Sequence, residues 1–116
     1  MENILSTIRK VLENLKEDLI NVKSVDDLFR LRINDLRFQF LIKLLTDVKC
    51  LTSERKCYEI EGLLVCVSEK LIYVDDLLGL KVLLRCRSYF SGNSSVMKCY
   101  EISIKNIFGD FTFCIG

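Results

Sequence analysis

The chain contains no histidine and no proline. Without histidine it cannot build a Ser–His–Asp triad, a histidine metal site or an imidazole general base. Without proline, no residue removes a backbone N–H donor or breaks a helix at a fixed point. These absences exclude several classes of enzyme and make the spacing of apolar residues the main guide to structure.

Cysteine is present six times, but no two cysteines form a Cys-x-x-Cys pair. Because scattered cysteines without histidine lack the usual ligand spacing, we predict no zinc site, no other metal and no cofactor. Disulfides are the alternative, and for an intracellular chain we expect them only if the source is a hyperthermophile. Buried reduced thiols, which pack as small hydrophobic side chains, are the interpretation we adopt for Cys50, Cys57, Cys66, Cys86, Cys99 and Cys114.

Neither sign of charge dominates, and no long apolar run occurs. The net charge is +1, with 11 Lys/Arg against 9 Asp/Glu in residues 1–56 and 6 against 7 in residues 57–116. Such a balance provides no general attraction to phosphate backbones. The first 22 residues carry charges at almost every turn, which predicts neither a signal peptide nor a membrane span. We expect one cytoplasmic, intracellular domain over residues 1–116, with no membrane partner.

Residues 2–22 predict a long amphipathic helix. Its apolar positions recur at alternating spacings of three and four, which is the a/d pattern of a heptad seam. Such a stripe can cover a sheet as a core helix, or it can pack on a second copy of the chain. The predicted dimer seam consists of Leu5, Ile8, Leu12, Leu15, Leu19 and Val22.

Two further helices are predicted before residue 51. Ser24 is placed to cap a short helix over residues 25–31, which ends at the break formed by residues 32–34. A third helix, over residues 35–48, follows, and Phe40 completes its broad apolar face. The positions that we expect it to bury are Leu36, Phe38, Leu41, Leu44, Leu45 and Val48.

The second half of the chain alternates apolar and polar residues, as half-buried strands do. The pentapeptide Lys-Cys-Tyr-Glu-Ile occurs at residues 56–60 and again at residues 98–102. About five strands are predicted, over residues 56–67, 71–74, 81–90, 96–107 and 111–115. Because residues 63–67 are apolar on both faces, we expect both faces of that segment to be covered. The predicted fold is α+β, in which a helical part (1–51) packs on one face of an antiparallel meander (56–116).

The pairing of the strands over residues 81–90 and 96–107 can be predicted from alternation. In an antiparallel pair the residue numbers of opposed positions have a constant sum, and a shift by one residue would turn every side chain to the other face. Closing the loop over Ser91–Ser95 makes that sum 186. Arg85 is then opposite Glu101, an oppositely charged cross-strand pair.

The order of elements over residues 24–67, two helices followed by a hairpin, resembles a winged-helix DNA-binding domain. The resemblance implies that the second helix of the pair enters the major groove. The residues it would direct towards nucleic acid are Arg37, Gln39, Lys43, Arg55 and Lys56.

Asp75 and Asp76, followed by Arg85 and Arg87 on the next strand, resemble the metal-binding strand pair of restriction-endonuclease-like nucleases. That family binds Mg²⁺ with an aspartate and a Glu-x-Lys motif. Here two arginines occupy the Glu-x-Lys positions, so the resemblance implies a degenerate relative without an intact metal site.

The sequence contains no glycine-rich phosphate loop and no nucleophile elbow. We therefore expect no enzyme. The leading hypothesis is a non-catalytic interaction or regulatory protein that acts as a homodimer. A winged-helix-like nucleic-acid binder is the alternative.

Overall fold

A computed structural model describes residues 2–51, 54–91 and 95–115 of the chain. Three helices precede six strands, and the strands form one antiparallel sheet in the order β1-β2-β3-β4-β5-β6. The predicted α+β class is confirmed, with six strands where about five were expected. The elements are α1 (Glu2–Ile20), α2 (Val25–Asn34), α3 (Leu36–Leu51), β1 (Lys56–Ile60), β2 (Leu63–Val67), β3 (Leu71–Asp75), β4 (Lys81–Ser91), β5 (Ser95–Asn106) and β6 (Gly109–Ile115).

The additional strand arises because residues 56–67, predicted as one strand of the sheet and as a hairpin only in the winged-helix comparison, form a hairpin. Glu61 and Gly62 form a two-residue turn, with φ angles of 44° and 80°. Ile60 and Leu63 face each other across this turn. Positive φ at both central positions gives the twist that joins antiparallel strands. The turn was missed because glutamate is not a residue that commonly occupies the left-handed region.

The helices cover one face of the sheet, as predicted. All six residues of the predicted seam on α1 are at most 4% exposed within the single chain. They share one core cluster with α3 and with alternate residues of the central strands. The sheet contributes Leu63, Val65, Val67, Ile72, Val74, Val82, Leu84, Ile102 and Ile104 to that core.

The cap predicted at Ser24 is confirmed, but the predicted end of the second helix is wrong. The Ser24 hydroxyl accepts a hydrogen bond from the N–H of Asp27, and the Asp27 carboxylate accepts one from the N–H of Lys23. The helix then continues to Asn34. Arg32 and Ile33 are compatible with a helix, so residues 32–33 do not end it. The helix ends at Asp35, which is its C-terminal cap.

The predicted register of β4 and β5 is confirmed. Arg85 lies opposite Glu101, Cys86 opposite Tyr100 and Val82 opposite Ile104. Each of these pairs has the predicted sum of 186. Alternation required an even sum, because only one parity directs the apolar residues of both strands towards the helices, and the loop over Ser91–Ser95 selected 186 among the even sums.

The face of the sheet opposite the helices has no second layer among the described residues. The expectation that residues 63–67 are covered on both faces is therefore wrong. Leu64 and Cys66 lie on this open face and are half-buried. Their neighbours in the sheet supply that burial, since Leu64 faces Asp75 and Cys66 faces Tyr73 in the next strand.

The cysteines also differ from expectation. Cys57 and Cys66 face each other in β1 and β2, with their Cα atoms 4.0 Å apart, and form a disulfide. Cys57 is exposed, so the prediction of buried reduced thiols is wrong for this pair. Cys86 is half-buried and Cys114 is exposed. The side chains of Cys50 and Cys99 lie outside the described part of the chain.

Candidate interaction surface

An apolar stripe runs along the outer side of α2. Val25, Phe29 and Ile33 follow one another at intervals of four residues, which places them along one side of the helix. They are 46%, 50% and 56% exposed. Leu28, on the inner side, is fully buried. The helix therefore has two apolar sides, and only one of them faces the core of the chain.

The stripe continues onto the start of α3. Leu36 is 78% exposed and Phe40 is 45% exposed, whereas Phe38 between them is buried. Leu36 follows Ile33 by three residues, a distance that the chain spans in at most about 11 Å. We call the set of Val25, Phe29, Ile33, Leu36 and Phe40 the apolar ridge. The prediction that Leu36 is buried is wrong, because α3 turns this position away from the sheet.

Asp35 holds the two helices of the ridge in place. Its backbone N–H donates to the carbonyl of Leu31 and so closes α2. Its carboxylate accepts hydrogen bonds from the N–H groups of Arg37 and Phe38, which caps the first turn of α3. The Arg37 side chain also donates to this carboxylate, and that contact is the main reason why the pKa of Asp35 lies below its usual value. The ridge therefore bends at a charged, well-bonded residue.

Aromatic contacts connect the ridge to the last two strands. The ring of Phe29 packs edge-on against Phe113 of β6, with ring centroids 6.2 Å apart. The ammonium group of Lys23 lies 4.9 Å from the ring centroid of Phe108 in the β5–β6 turn. Ile107, in the same turn, is almost fully exposed. Apolar surface thus extends from the ridge towards the edge of the sheet.

The residues of the predicted dimer seam lie in a different place from the ridge. Their burial against α3 and the sheet leaves almost no area for a second copy. The heptad spacing on α1 is therefore accounted for by packing within one chain. The exposed apolar side chains therefore lie on α2 and α3, not on α1.

Several residues named for the nucleic-acid alternative are engaged in local contacts. The Arg37 guanidinium bonds the carboxylates of Asp18 and Asp35, both at 2.7 Å. The Gln39 amide donates to the main-chain carbonyls of Arg32 and Ile33. These contacts direct both side chains towards the helix junction.

The remaining candidates of that alternative are surface cations. Lys43 pairs with Asp47 one turn further along α3, at 3.1 Å. Lys56 lies over the ring of Tyr58, and Arg55 immediately precedes β1. The five candidates are thus divided between α3 and the residues that begin β1, and Arg37 is bound to Asp18 of α1 as well as to Asp35.

Asp75 and Asp76, which motivated the nuclease comparison, stabilise a turn. Asp75 accepts hydrogen bonds from the Tyr73 hydroxyl and the Leu77 N–H, and Asp76 accepts them from the N–H groups of Leu78 and Leu80. Burial, followed by the contact with Asp75, raises the pKa of Tyr73 to about 12. No group of three or more metal-ligating side chains occurs in the described part of the chain.

A cleft of about 280 Å³ lies between α1 and the turns after β1 and β3. Its charged walls are already paired, since Arg9 bonds Glu61 at 2.7 Å and Lys16 lies 3.3 Å from Asp76. Burial raises the pKa of Asp76, but the N–H groups of Leu78 and Leu80 and the Lys16 ammonium outweigh it, so the net shift is downward. The charged side chains that line the cleft therefore form ion pairs with one another.

Across residues 2–51, 54–91 and 95–115, no helix is both long and apolar enough to cross a membrane. Comparisons of the chain with protein-family models, with curated proteins and with solved structures found no significant match.

The apolar ridge was missed by the sequence interpretation, although a signal for it was present. The four-residue spacing of Val25, Phe29 and Ile33 is visible in the sequence. It was overlooked because the second helix was expected to end at residue 31. A helix that is apolar on two sides while being charged elsewhere is the pattern that would have identified it.

Proposed function

We propose that this protein is a non-catalytic interaction protein that acts as a homodimer through the apolar ridge. The observation that carries the proposal is the exposure of five large apolar side chains along α2 and the start of α3. An exposed apolar patch of a few hundred Å² is about as large as the largest patch on a typical monomer, and such a patch often has a binding role.

The size of the ridge fits a dimer of moderate affinity. The full surface of an aromatic side chain is about 150–250 Å², and that of an aliphatic one is somewhat smaller. With the exposed fractions given above, the five side chains of the ridge leave on the order of 500 Å² of surface in contact with water. Ile107 and Phe108 raise this area to about 700 Å². A standard interface buries about 800 Å² on each partner. The ridge, the adjoining turn and a rim of charged residues would reach that size.

Two other surfaces compete with the ridge less well. The α1 seam is used within the chain, as described above. The open face of the sheet carries Leu64, Tyr73 and Leu83, but these side chains are already half-buried by their neighbours. A partner would therefore remove less apolar surface from water there than at the ridge.

Sedimentation equilibrium tests the proposal with a matched pair of variants. The chain mass is 13.5 kDa, so we expect the wild type to approach twice that mass at tens of micromolar. Leu36→Glu introduces a charge into the ridge, and Leu78→Glu introduces the same charge into the β3–β4 loop. Both leucines are 78% exposed. Only the ridge variant should remain at the mass of one chain.

The outcome that contradicts the proposal is equally clear. If the wild-type protein stays monomeric at several hundred micromolar, the proposed homodimer does not form. A Leu36→Glu variant that associates as strongly as Leu78→Glu would move the interface away from the ridge. Circular dichroism checks that both variants keep the fold. We expect this because both leucines are 78% exposed, and because glutamate at position 36 is favourable in the first turn of a helix.

The nucleic-acid alternative stays a prediction with its own test. A gel-shift series across salt concentration would detect phosphate contacts, since their release of counterions makes affinity fall steeply with salt. Arg55 and Lys56 are the residues to change first, because Arg37 and Gln39 are held by local hydrogen bonds. Binding that Arg55→Ala and Lys56→Ala together abolish would support this alternative.

A further inference from the structure

We infer that the second copy docks on the ridge with its α2 antiparallel to the first. Asp26 of each copy then faces Arg30 of the other copy. The inference rests on the proposed function, because it assigns the arrangement of the same surface. Two observations support the arrangement. Both charged residues lie beside the apolar stripe of α2, and both are exposed in the single chain.

The two charges lie on the same flank of the stripe. At 100° per residue, Asp26 lies about 60° to one side of Phe29, and Arg30 lies about 100° to that same side. The Arg30 side chain is 74% exposed, and its guanidinium lies 3.8 Å from Asp27. Within residues 2–51, 54–91 and 95–115, Asp26 makes no ion pair. Both groups are thus available at the rim of the ridge.

An antiparallel pair about a two-fold axis at Phe29 brings these charges together. Asp26 lies about 4.5 Å before Phe29 along the helix axis, and Arg30 about 1.5 Å after it. Reversing the direction of the second helix leaves Asp26 of one copy about 3 Å, along the axis, from Arg30 of the other. An arginine side chain spans that offset. The same symmetry sets Val25 opposite Ile33 and makes each pair twice.

A parallel arrangement does not pair these charges. Its two-fold axis runs along the helices, so the flank that carries Asp26 and Arg30 lies on opposite sides of the interface in the two copies. Only the antiparallel arrangement forms the two complementary pairs, and complementary charges select the orientation of a complex. The order of acid and base along α2 therefore favours the antiparallel dimer over the parallel one.

The positions of Asp26 and Arg30 beside the apolar stripe fit a second copy of the same chain as the binding partner. An isologous interface must be complementary to itself under a two-fold rotation. One acid and one base, four residues apart on one flank of a continuous apolar stripe, satisfy that condition. A partner of a single charge sign would match only one of the two groups.

Mixing two charge-reversal variants tests the arrangement directly. Asp26→Arg leaves two cations on the flank, and Arg30→Asp leaves two anions. Each variant alone should self-associate about tenfold more weakly than wild type at low salt. An equimolar mixture should form a mixed dimer about as tight as the wild-type dimer. Native mass spectrometry can count the mixed species, since the two chains differ in mass.

The mixture also separates contacts between copies from contacts within one helix. Asp26 and Arg30 are four residues apart and could pair within α2, but a single chain of either variant lacks opposite charges at these two positions. Recovery in the mixture must therefore come from the other copy. Lys10→Asp changes an exposed charge on α1 and should leave association unchanged.

The possible failures can be told apart. If both reversal variants associate like wild type and mix only statistically, the antiparallel arrangement is wrong while the ridge dimer stands. If the wild type itself is monomeric, the proposed function fails. Should a reversal variant unfold, Asp26→Asn and Arg30→Gln replace it. Each should then weaken association and reduce its dependence on salt, and an unchanged salt dependence would overturn the arrangement.

Discussion

The side-chain amide of Asn106 donates hydrogen bonds to the main-chain carbonyls of Leu19 and Val22, at 2.9 and 2.8 Å. Its carboxamide oxygen accepts a hydrogen bond from the N–H of Phe108. Asn106 thus ties the last turn of α1 and the segment that follows it to the β5–β6 turn. This contact fixes the corner from which α2 and the apolar ridge begin.

Replacing Asn106 with alanine should destabilise the protein by about 1–3 kcal/mol, because two helix-terminal carbonyls lose their donor in a half-buried setting. Urea unfolding measures the change. Asn21→Ala is the control, since Asn21, immediately after α1, makes a single exposed hydrogen bond to the main-chain carbonyl of Glu17. Its effect should stay within about 0.5 kcal/mol. If the two substitutions lower the free energy of unfolding equally, the hydrogen bonds of Asn106 to Leu19 and Val22 do not contribute to stability.

A charge on the α1 seam should prevent folding, not merely association. Leu12 is 4% exposed among apolar neighbours, so Leu12→Asp buries a carboxylate without a partner. We expect a loss of more than about 3 kcal/mol, which is large relative to the stability of a small domain. Circular dichroism and urea unfolding provide the measurement. A Leu12→Asp variant that is folded and monomeric would return the dimer interface to the seam.

Reduction of the Cys57–Cys66 disulfide should weaken the edge hairpin. Closing a loop of this size stabilises the folded state by about 2–3 kcal/mol on the chain-entropy account. Urea unfolding with and without a reductant measures the difference. The Cys57→Ser/Cys66→Ser variant should no longer respond to reductant. Six titratable thiols in denaturant, without any reductant, would mean that the bridge is not formed.

Acid should remove the contribution of Asp35. Its pKa in the folded protein lies below the ordinary value near 3.8, chiefly because Arg37 donates to its carboxylate. The stabilisation is therefore complete above about pH 4 and is lost as the pH falls through the lower, folded value. Asp35→Asn should be less stable than wild type at pH 6, and the gap should narrow by pH 2–3. A gap that is constant across this range would exclude the charge as its cause. Asp47→Asn, in an exposed pair with Lys43, is the control.

The sheet was predictable from the sequence because one physical rule governs it. Alternation allowed only registers of even sum, and closing the loop over Ser91–Ser95 selected the one that sets Arg85 opposite Glu101, which the structure has. The hairpin at Glu61–Gly62 was not predictable in the same way. Its turn depends on a left-handed glutamate, which the folded chain imposes and local preference does not.

The apolar ridge was harder to predict because exposure is a property of the whole fold. The stripe on α1 and the stripe on α2 are both apolar series at helical spacing. Only the packing of three helices on one sheet decides that Leu12 is buried and that Ile33 is exposed. The dimer was therefore predicted from the apolar stripe on α1, which is buried in the core of the single chain. The disulfide was likewise hidden until the hairpin brought Cys57 opposite Cys66.

The most direct test of the central claim maps the interface in solution by nuclear magnetic resonance. Spectra of the wild type recorded from millimolar to low micromolar concentration report which groups change environment on dissociation. We predict changes at Val25, Phe29, Ile33 and Leu36, with the α1 seam and Leu64 and Leu83 on the open face of the sheet unaffected. Changes confined to the open face of the sheet, or none at any concentration, would contradict the account.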